Sequence, residues 1–583
     1  VTLVRYCAAD GLAPPPEVPT LRTRSHPSTD RSPVSPTAGA AGAAARSLPV
    51  APEAGVPVVG TPSSLRRATL VAVIAAALVG AAIPAYGLSI PNALLGLHDY
   101  DDGVYFGASL RLLGGALPYR DFVLLHPPGI ALLLAPCAAL AHAIGTREAL
   151  AVARCLTVLV AGLNCALVAL AVRHRGPLAS LTAGLALACF PVAVAGDQTV
   201  LLEPYLAAAC LAGTVLAFRD GELATGRRAI WAGVLFGVAA SIKVWAVLPI
   251  AALALVCIGR RSSATRLGAG LLAGVAVPCL PFFLLAPSAF VHEVLVVQLT
   301  RGGGAAPYGL VHRLGDLTSL AGWAGLVPSS ALVVGVSVGL VVVVAACYAA
   351  IGSRLRRADL FVLVTAALLV VAVLTSREFY EYYAYIPAVF VAAVLGVCAG
   401  GGLELAGSLV ERARRTAPGA GHVLRSTAEL RLVASLAVAV AAACLIPVDV
   451  GATHAYIAAS GLADPGPVVD AAVPRGACAL SDEGVVLVIA DRYSSARPGC
   501  PVIVDTFGTW LSADPAQPPP SAGVVVPQLA ASWRHWLGTA RWLVLSVPMS
   551  DYIPWTPALT AWFEAHYRQV ANGPKAWVYE RKA

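Results

Sequence analysis

The sequence predicts a mainly α, polytopic membrane protein with about eleven spanning helices, followed by a small external α/β domain at the C-terminal end. Three observations predict it. Of 583 residues, 58% are hydrophobic and only 12% charged, and the mean hydropathy is +0.76. Apolar runs long enough for a hydrocarbon core roughly 30 Å thick recur from residue 68 to residue 448. The arginines collect in short loops between those runs. The net charge of +8 is thereby explained by membrane topology, and nucleic acid is not an expected partner.

Residues 1–65, rich in Pro, Ala, Ser, Thr and Arg without hydrophobic periodicity, are expected to form a disordered cytoplasmic tail. Residues 66–448 form the membrane domain, with a first external loop at 91–148. Its candidate spans are 68–90, 149–172, 177–196, 200–218, 229–258, 267–287, 326–350, 359–375, 384–402 and 430–448. Two segments leave a choice. The 122–144 stretch is apolar but opens with His126-Pro127-Pro128-Gly129, and 229–258 would make about 45 Å of helix, too long for one untilted span. Either the first crosses and the second is single, or the first lies along the outer surface and the second is a hairpin turning near Lys243. The positive-inside rule selects the hairpin. It puts Arg173, Arg175, Arg219, Arg227 and Arg228 on the cytoplasmic side together with Arg260, Arg261, Arg266, Arg354, Arg356, Arg357, Arg412, Arg414 and Arg415. The amino terminus is then inside.

Residues 449–583 read as an external α/β module. Strand-like runs at 477–481, 502–505, 542–546 and 576–579 alternate with helix-like runs at 525–537 and 557–570. Most cysteines sit singly in apolar runs, without metal-binding spacing, and read as small core residues. Cys478 and Cys500 are both in the external module, where a disulfide between them is open.

Ionisable residues in or beside spans are costly, so their position is informative. Arg154, Asp197, Glu203 and Lys243 all come out near the external side. External loops add His98 to Gly103, Arg111, Arg120, Asp121 and His126, then residues 292–313, then Ser376 to Tyr383. Bland readings stand beside this one: Arg154 and Lys243 could snorkel to the interface, Asp197 and Glu203 could be solvated loop charges, and Tyr380, Tyr382, Tyr383 and Tyr385 could form an interfacial belt.

The run Asp101-Asp102-Gly103-Val104-Tyr105, followed by Leu113 to Asp121 and His126-Pro127-Pro128-Gly129, resembles the first external loop of GT-C glycosyltransferases. These include protein O-mannosyltransferases, lipid A aminoarabinose transferases and bacterial mannosyl- and arabinosyltransferases. Gly237 to Lys243 is similar to the family's glycine-containing helix ending in Ser/Thr-Lys, and Tyr382 to Pro387 to its late tyrosine-proline segment. The acidic pair is Asp-Asp here, where the best-known branches have Asp-Glu. The resemblance covers roughly residues 68–400. It implies a sugar donor on a polyprenyl phosphate within the membrane lipid and an extracytoplasmic glycan, lipid or protein as acceptor. No Walker A or dinucleotide fingerprint is visible, in keeping with a lipid-linked donor.

By this resemblance Asp101 is the general base, with Asp102 second. Lys243, Arg301 and Arg377 are candidates to hold the departing phosphate, with His126, Glu203 and Tyr382 also at the substrate. No cofactor is assigned; a divalent cation at the adjacent aspartates stays open, and no metal ligand is assigned. The rival class is a transporter or lipid-linked sugar flippase, which would more typically show broken helices or paired repeats around a midplane site. A non-catalytic scaffold displaying the 449–583 module is a third.

Overall fold

The computed structural model describes residues 62–302, 308–320, 329–416, 427–460, 462–495, 497–516 and 526–582. The expected tail therefore falls almost wholly outside the described residues, as do the side chains of Arg414 and Arg415. Seven helices are long and apolar enough to cross a membrane: Ser63–Ser89, Thr146–Ala171, Arg261–Leu285, Ser330–Arg354, Arg357–Thr375, Glu381–Arg412 and Glu429–Gly451. Shorter apolar helices, Gly129–Ile144, Pro177–Ala188, Leu202–Ala217 and Val244–Val256, and the helix Gly226–Ile242 run among them. Leu272, Val277 and Val341 on the outer helices are 72%, 76% and 67% exposed, which is stable only against hydrocarbon.

Hydrogen bonds gather the helix ends onto two faces. On one, buried Asp359 accepts from Arg175 Nη2 at 2.5 Å and from Arg356 N at 2.7 Å, and lies 2.7 Å from His174 Nε2. Arg175 also pairs with Glu404 at 3.0 Å, Ala358 N donates to Gly221 O, and Arg357 donates to Val256 O. The loops near residues 174, 221, 256 and 357 thus meet at one place. At the other face, Val200 N donates to Asp102 Oδ1 at 2.6 Å, Tyr385 OH to Asp197 Oδ1 at 2.8 Å, and Lys243 pairs with Glu203.

The hairpin follows from this. Gly226–Ile242 leaves the arginine face, the chain turns at Lys243, and Val247–Val256 returns. The outgoing arm crosses Arg261–Leu285 at close range: a Cβ on Gly237 would lie 2.4 Å from Leu271 O, and one on Gly270 2.0 Å from Ile230 O. Glycines four apart on both helices (Gly233 and Gly237, Gly270 and Gly274) let the backbones touch. Gly129–Ala139 has both ends at the Lys243 face. A Cβ on Gly129 would meet Ser241 O at 2.4 Å, and Thr146 N just beyond the segment donates to Asp491 Oδ1 at 2.5 Å.

Thr427–Ser460 runs past residue 448 before the C-terminal module begins. That module holds a four-stranded sheet in the order Ala479–Ser481, Trp542–Leu545, Ala576–Arg581, Tyr567–Gly573; the first pair is parallel and the others antiparallel. Alternation along Trp542–Leu545 decides its layers. Leu543 and Leu545 pack with Trp533, Leu537 and Phe563 of the covering helices, whereas Trp542 and Val544 face a core shared with Val104 and Phe106. Two expected elements differ. Residues 502–505 are not a strand, because Asp505 caps the next helix by accepting from Gly508 N. The helix expected to residue 570 stops at His566, since Tyr567–Gly573 pairs with Ala576–Arg581 across Pro574 and Lys575. Cys478 and Cys500 are joined by a disulfide with S–S 2.04 Å.

Candidate active site

The helix Tyr100–Leu113 begins with Asp99, whose side chain accepts from Asp101 N at 2.8 Å. Acidic residues in a first helical turn are favoured by the exposed N–H groups there. Successive residues on a helix point about 100° apart, and the two aspartates diverge accordingly. Asp102 is fully buried. Its Oδ2 accepts from Arg154 Nη2 at 2.5 Å and Nε at 3.2 Å, and its Oδ1 from Val200 N. Arg154 also donates to Leu94 O and Gly96 O. Burial alone would raise the Asp102 pKa, but the guanidinium reverses this and the net direction is down.

Asp101 faces a different set of groups. Its Oδ2 accepts from Tyr105 OH at 3.1 Å, one turn along the helix, and from Tyr382 OH at 3.2 Å. Burial, then the charges of Asp99, Asp505 and Glu203, push its pKa well above the usual carboxylate range. Asp99 itself is raised to about 6, mainly by burial.

Cationic groups lie beside this acid. Lys243 Nζ is 2.5 Å from Glu203 Oε1 and sits over the rings of Tyr383 at 4.5 Å, Trp245 at 5.5 Å and Tyr382 at 5.9 Å. Arg301 Nη2 donates to Tyr383 OH at 2.6 Å. The His126 ring packs edge-on to Tyr105, 5.8 Å between centroids, and its buried Nδ1 has no hydrogen-bond partner among the described residues. Burial, with the charges of Lys243 and Arg301, holds His126 well below its ordinary pKa, so the ring is neutral near pH 7.

Asp101, Tyr382, Lys243, Glu203, His126 and Arg301 are therefore linked through shared tyrosines, whereas Asp102 lies behind them. Arg377 is exposed and, among the described residues, makes no hydrogen bond or ion pair to this group. Arg154 and Lys243 do not snorkel: both are buried and paired. Glu203 and Asp197 are buried too, and Tyr383 and Tyr385 are 4% and 0% exposed, hence interior groups rather than a belt. Among the described residues no group of three or more His, Cys, Asp or Glu is arranged to hold a metal ion. The adjacent aspartates do not converge on a common point, since Asp102 gives its oxygens to Arg154 and Val200 N.

Sequence reasoning gave Tyr100 and Asp505 no role at the site. Tyr100 OH donates to Asp505 Oδ1 at 2.8 Å across 405 positions, a pairing with no local signal. Tyr105 had one, its spacing of four from Asp101.

Residues 124–377 match the model of glycosyltransferase family 87. No curated protein matches the chain. Among solved structures, ArnT from Cupriavidus metallidurans bound to undecaprenyl phosphate is similar in fold, with a TM-score of 0.52 at 16% identity over 89% of this chain and 98% of that one. Its apo state gives 0.51 at 16% identity, over 89% and 97%. The Archaeoglobus fulgidus oligosaccharyltransferase in the apo form gives 0.47 at 12% identity, over 82% and 69%.

Proposed function

We propose that this chain, a multi-pass membrane glycosyltransferase of the GT-C type, moves a sugar from a polyprenyl-phosphate donor to an extracytoplasmic glycan, lipid or protein with inversion at the anomeric carbon. What carries the reading is the cluster of one carboxylate and two cations joined through tyrosines: Tyr382 donates to Asp101 and lies under Lys243, Tyr383 lies under Lys243 and accepts from Arg301, and His126 packs on Tyr105 beside Asp101. The undecaprenyl phosphate bound to the ArnT of similar fold supports a donor of that class.

Asp101 takes the proton from an acceptor hydroxyl as its oxygen bonds to the anomeric carbon. The bond from that carbon to the phosphate oxygen breaks, and the polyprenyl phosphate leaves with the electron pair. Lys243 and Arg301 neutralise the charge developing on it, and neutral His126 offers an N–H. Tyr105 and Tyr382 aim the carboxylate, and Glu203 balances Lys243 before the phosphate arrives. Asp102 fixes the helix from behind through Arg154. Every step is assigned to a side chain of this protein.

The arginine face is cytoplasmic on this reading, and the Lys243 face and C-terminal module are external in a cell membrane. The positive-inside rule supports this, and so does a disulfide in that module, since disulfides persist outside the reducing cytoplasm. Incubating membranes that contain the protein with radiolabelled polyprenyl-phosphate sugars tests the reaction. Label is expected in a new glycoside with release of polyprenyl phosphate. Label crossing proteoliposome membranes on an intact donor, with no glycoside formed, would overturn it in favour of a flippase.

A further inference from the structure

We propose that the helix Thr506–Ala513 of the C-terminal module is a positioning element of the active site, setting the base Asp101 and the phosphate ligand Arg301 in register with each other. The inference rests on the roles given to those two residues above.

At its N-terminal end this helix meets the residue beside the base. Tyr100 OH donates to Asp505 Oδ1 at 2.8 Å, lies 2.9 Å from Thr506 Oγ1 and accepts from Phe507 N at 2.9 Å. The Tyr100 ring packs 5.2 Å from that of Tyr552, which is 6.0 Å from Phe507. The face of Tyr100–Leu113 turned to the module is kept small for this contact. A Cβ on Gly103 would lie 2.3 Å from Val485 N, and one on Gly107 2.4 Å from Tyr493 OH. The Asp-Asp-Gly run thus contains both the base and the glycine that lets the module seat directly behind it.

The other end of the same helix holds the segment that carries Arg301. Ser512 O lies 2.9 Å from His292 Nε2, and just beyond the helix Pro515 O accepts from Gly302 N at 2.8 Å. Leu511, Val297 and Leu125, 1%, 0% and 4% exposed, pack together with Phe507. The segment is also tied to the 122–125 stretch, where Glu293 accepts from Leu124 N and Gln298 donates to Leu125 O. Eight helical residues span about 12 Å, so one short rigid rod touches the surroundings of the base at one end and of the phosphate ligand at the other. A misplacement of about 1 Å can cost about a hundredfold in rate.

The test is steady-state kinetics on the purified full chain with a polyprenyl-phosphate sugar, plus binding of undecaprenyl phosphate. Tyr100→Phe removes the junction at the base and is expected to lower kcat about tenfold or more, with undecaprenyl phosphate affinity within about twofold. Leu511→Ala loosens the other end and is expected to raise KM and weaken undecaprenyl phosphate about tenfold, with a smaller change in kcat. General destabilisation would lower the active fraction in both variants alike, so the split is the signature.

Asp505→Asn keeps a cap and an acceptor for Tyr100 while removing a charge. The groups facing Asp101 are the carboxyls of Asp99, Glu203 and Asp505, the hydroxyls of Tyr105, Tyr382, Tyr380 and Tyr552, and Lys243 across Glu203. Loss of one carboxylate should move the acid limb of the pH–kcat/KM profile to lower pH. Should Tyr100→Phe fail to fold, Leu511→Ala decides the matter, and KM and undecaprenyl phosphate affinity like those of the parent overturn the proposal. Kinetics like the parent in folded Tyr100→Phe and Leu511→Ala, beside an inactive Asp101→Asn, overturn the positioning role alone. Full activity of Asp101→Asn overturns the base assignment instead.

Discussion

Asp101 and Asp102 are chemically identical neighbours with opposite surroundings. One faces two phenols and other acids, the other a guanidinium, and their pKa values move apart in consequence. A base must be deprotonated to act, so a raised Asp101 pKa puts the acid limb of kcat/KM above the ordinary carboxylate value of about 4. A profile measured from pH 4 to 9 should rise with pH through that limb, and a rate independent of pH across the range would count against the assignment. On this reading Asp102 serves stability. Removing one partner of a buried ion pair costs about 3–5 kcal/mol, so Asp102→Ala and Arg154→Ala should each lower the melting temperature in detergent, and the double variant should melt no lower than the worse single one. Additive losses would mean that the two do not act as a pair. The sequence displayed the acidic pair but not its division of labour, because Arg154 lies 52 positions away and only the fold brings it to Asp102.

At the scale of elements, apolar runs and loop arginines were sufficient to read the membrane helices and the turn at Lys243, because both follow from local composition and from the energy of charge in hydrocarbon. The span expected at 177–196 is broken between Ala188 and Pro191, a break the sequence reading did not place. In the C-terminal module the strand Tyr567–Gly573 was missed, since Tyr567 to Val570 continue an amphipathic helical pattern until strand pairing overrides it. The element that most directly tests topology is the hairpin. With the exposed Cys155 and Cys444 removed, Arg227→Cys should resist a membrane-impermeant thiol reagent in intact cells and react after permeabilisation, while Arg475→Cys in the C-terminal module should react in both. External labelling at position 227 would reverse the assignment of the two faces.

For the molecule as a whole, two parts that read as separate in the sequence share one core. Val485 to Ile489 and Val544 of the C-terminal module lie in the same hydrophobic cluster as Val104 and Phe106 beside the aspartates. The seven residues Asp101, Lys243, Glu203, His126, Arg301, Tyr382 and Asp505 come from separate stretches between positions 101 and 505. Motif resemblance reached Asp101, His126, Lys243 and Tyr382, the cost of charge beside the spans pointed to Glu203 and Arg301, and only long-range packing reached Asp505. All of them serve one claim, that a carboxylate at the outer membrane surface activates an acceptor while cations hold a lipid phosphate. Transfer of radiolabelled sugar from a polyprenyl-phosphate donor by Asp101→Asn, compared with the parent protein in the same membranes, tests it most directly. The substitution preserves size and polarity but removes the proton acceptor, so transfer should fall by about 10² or more while undecaprenyl phosphate still binds and the melting temperature holds. Transfer by Asp101→Asn at the rate of the parent would contradict the account.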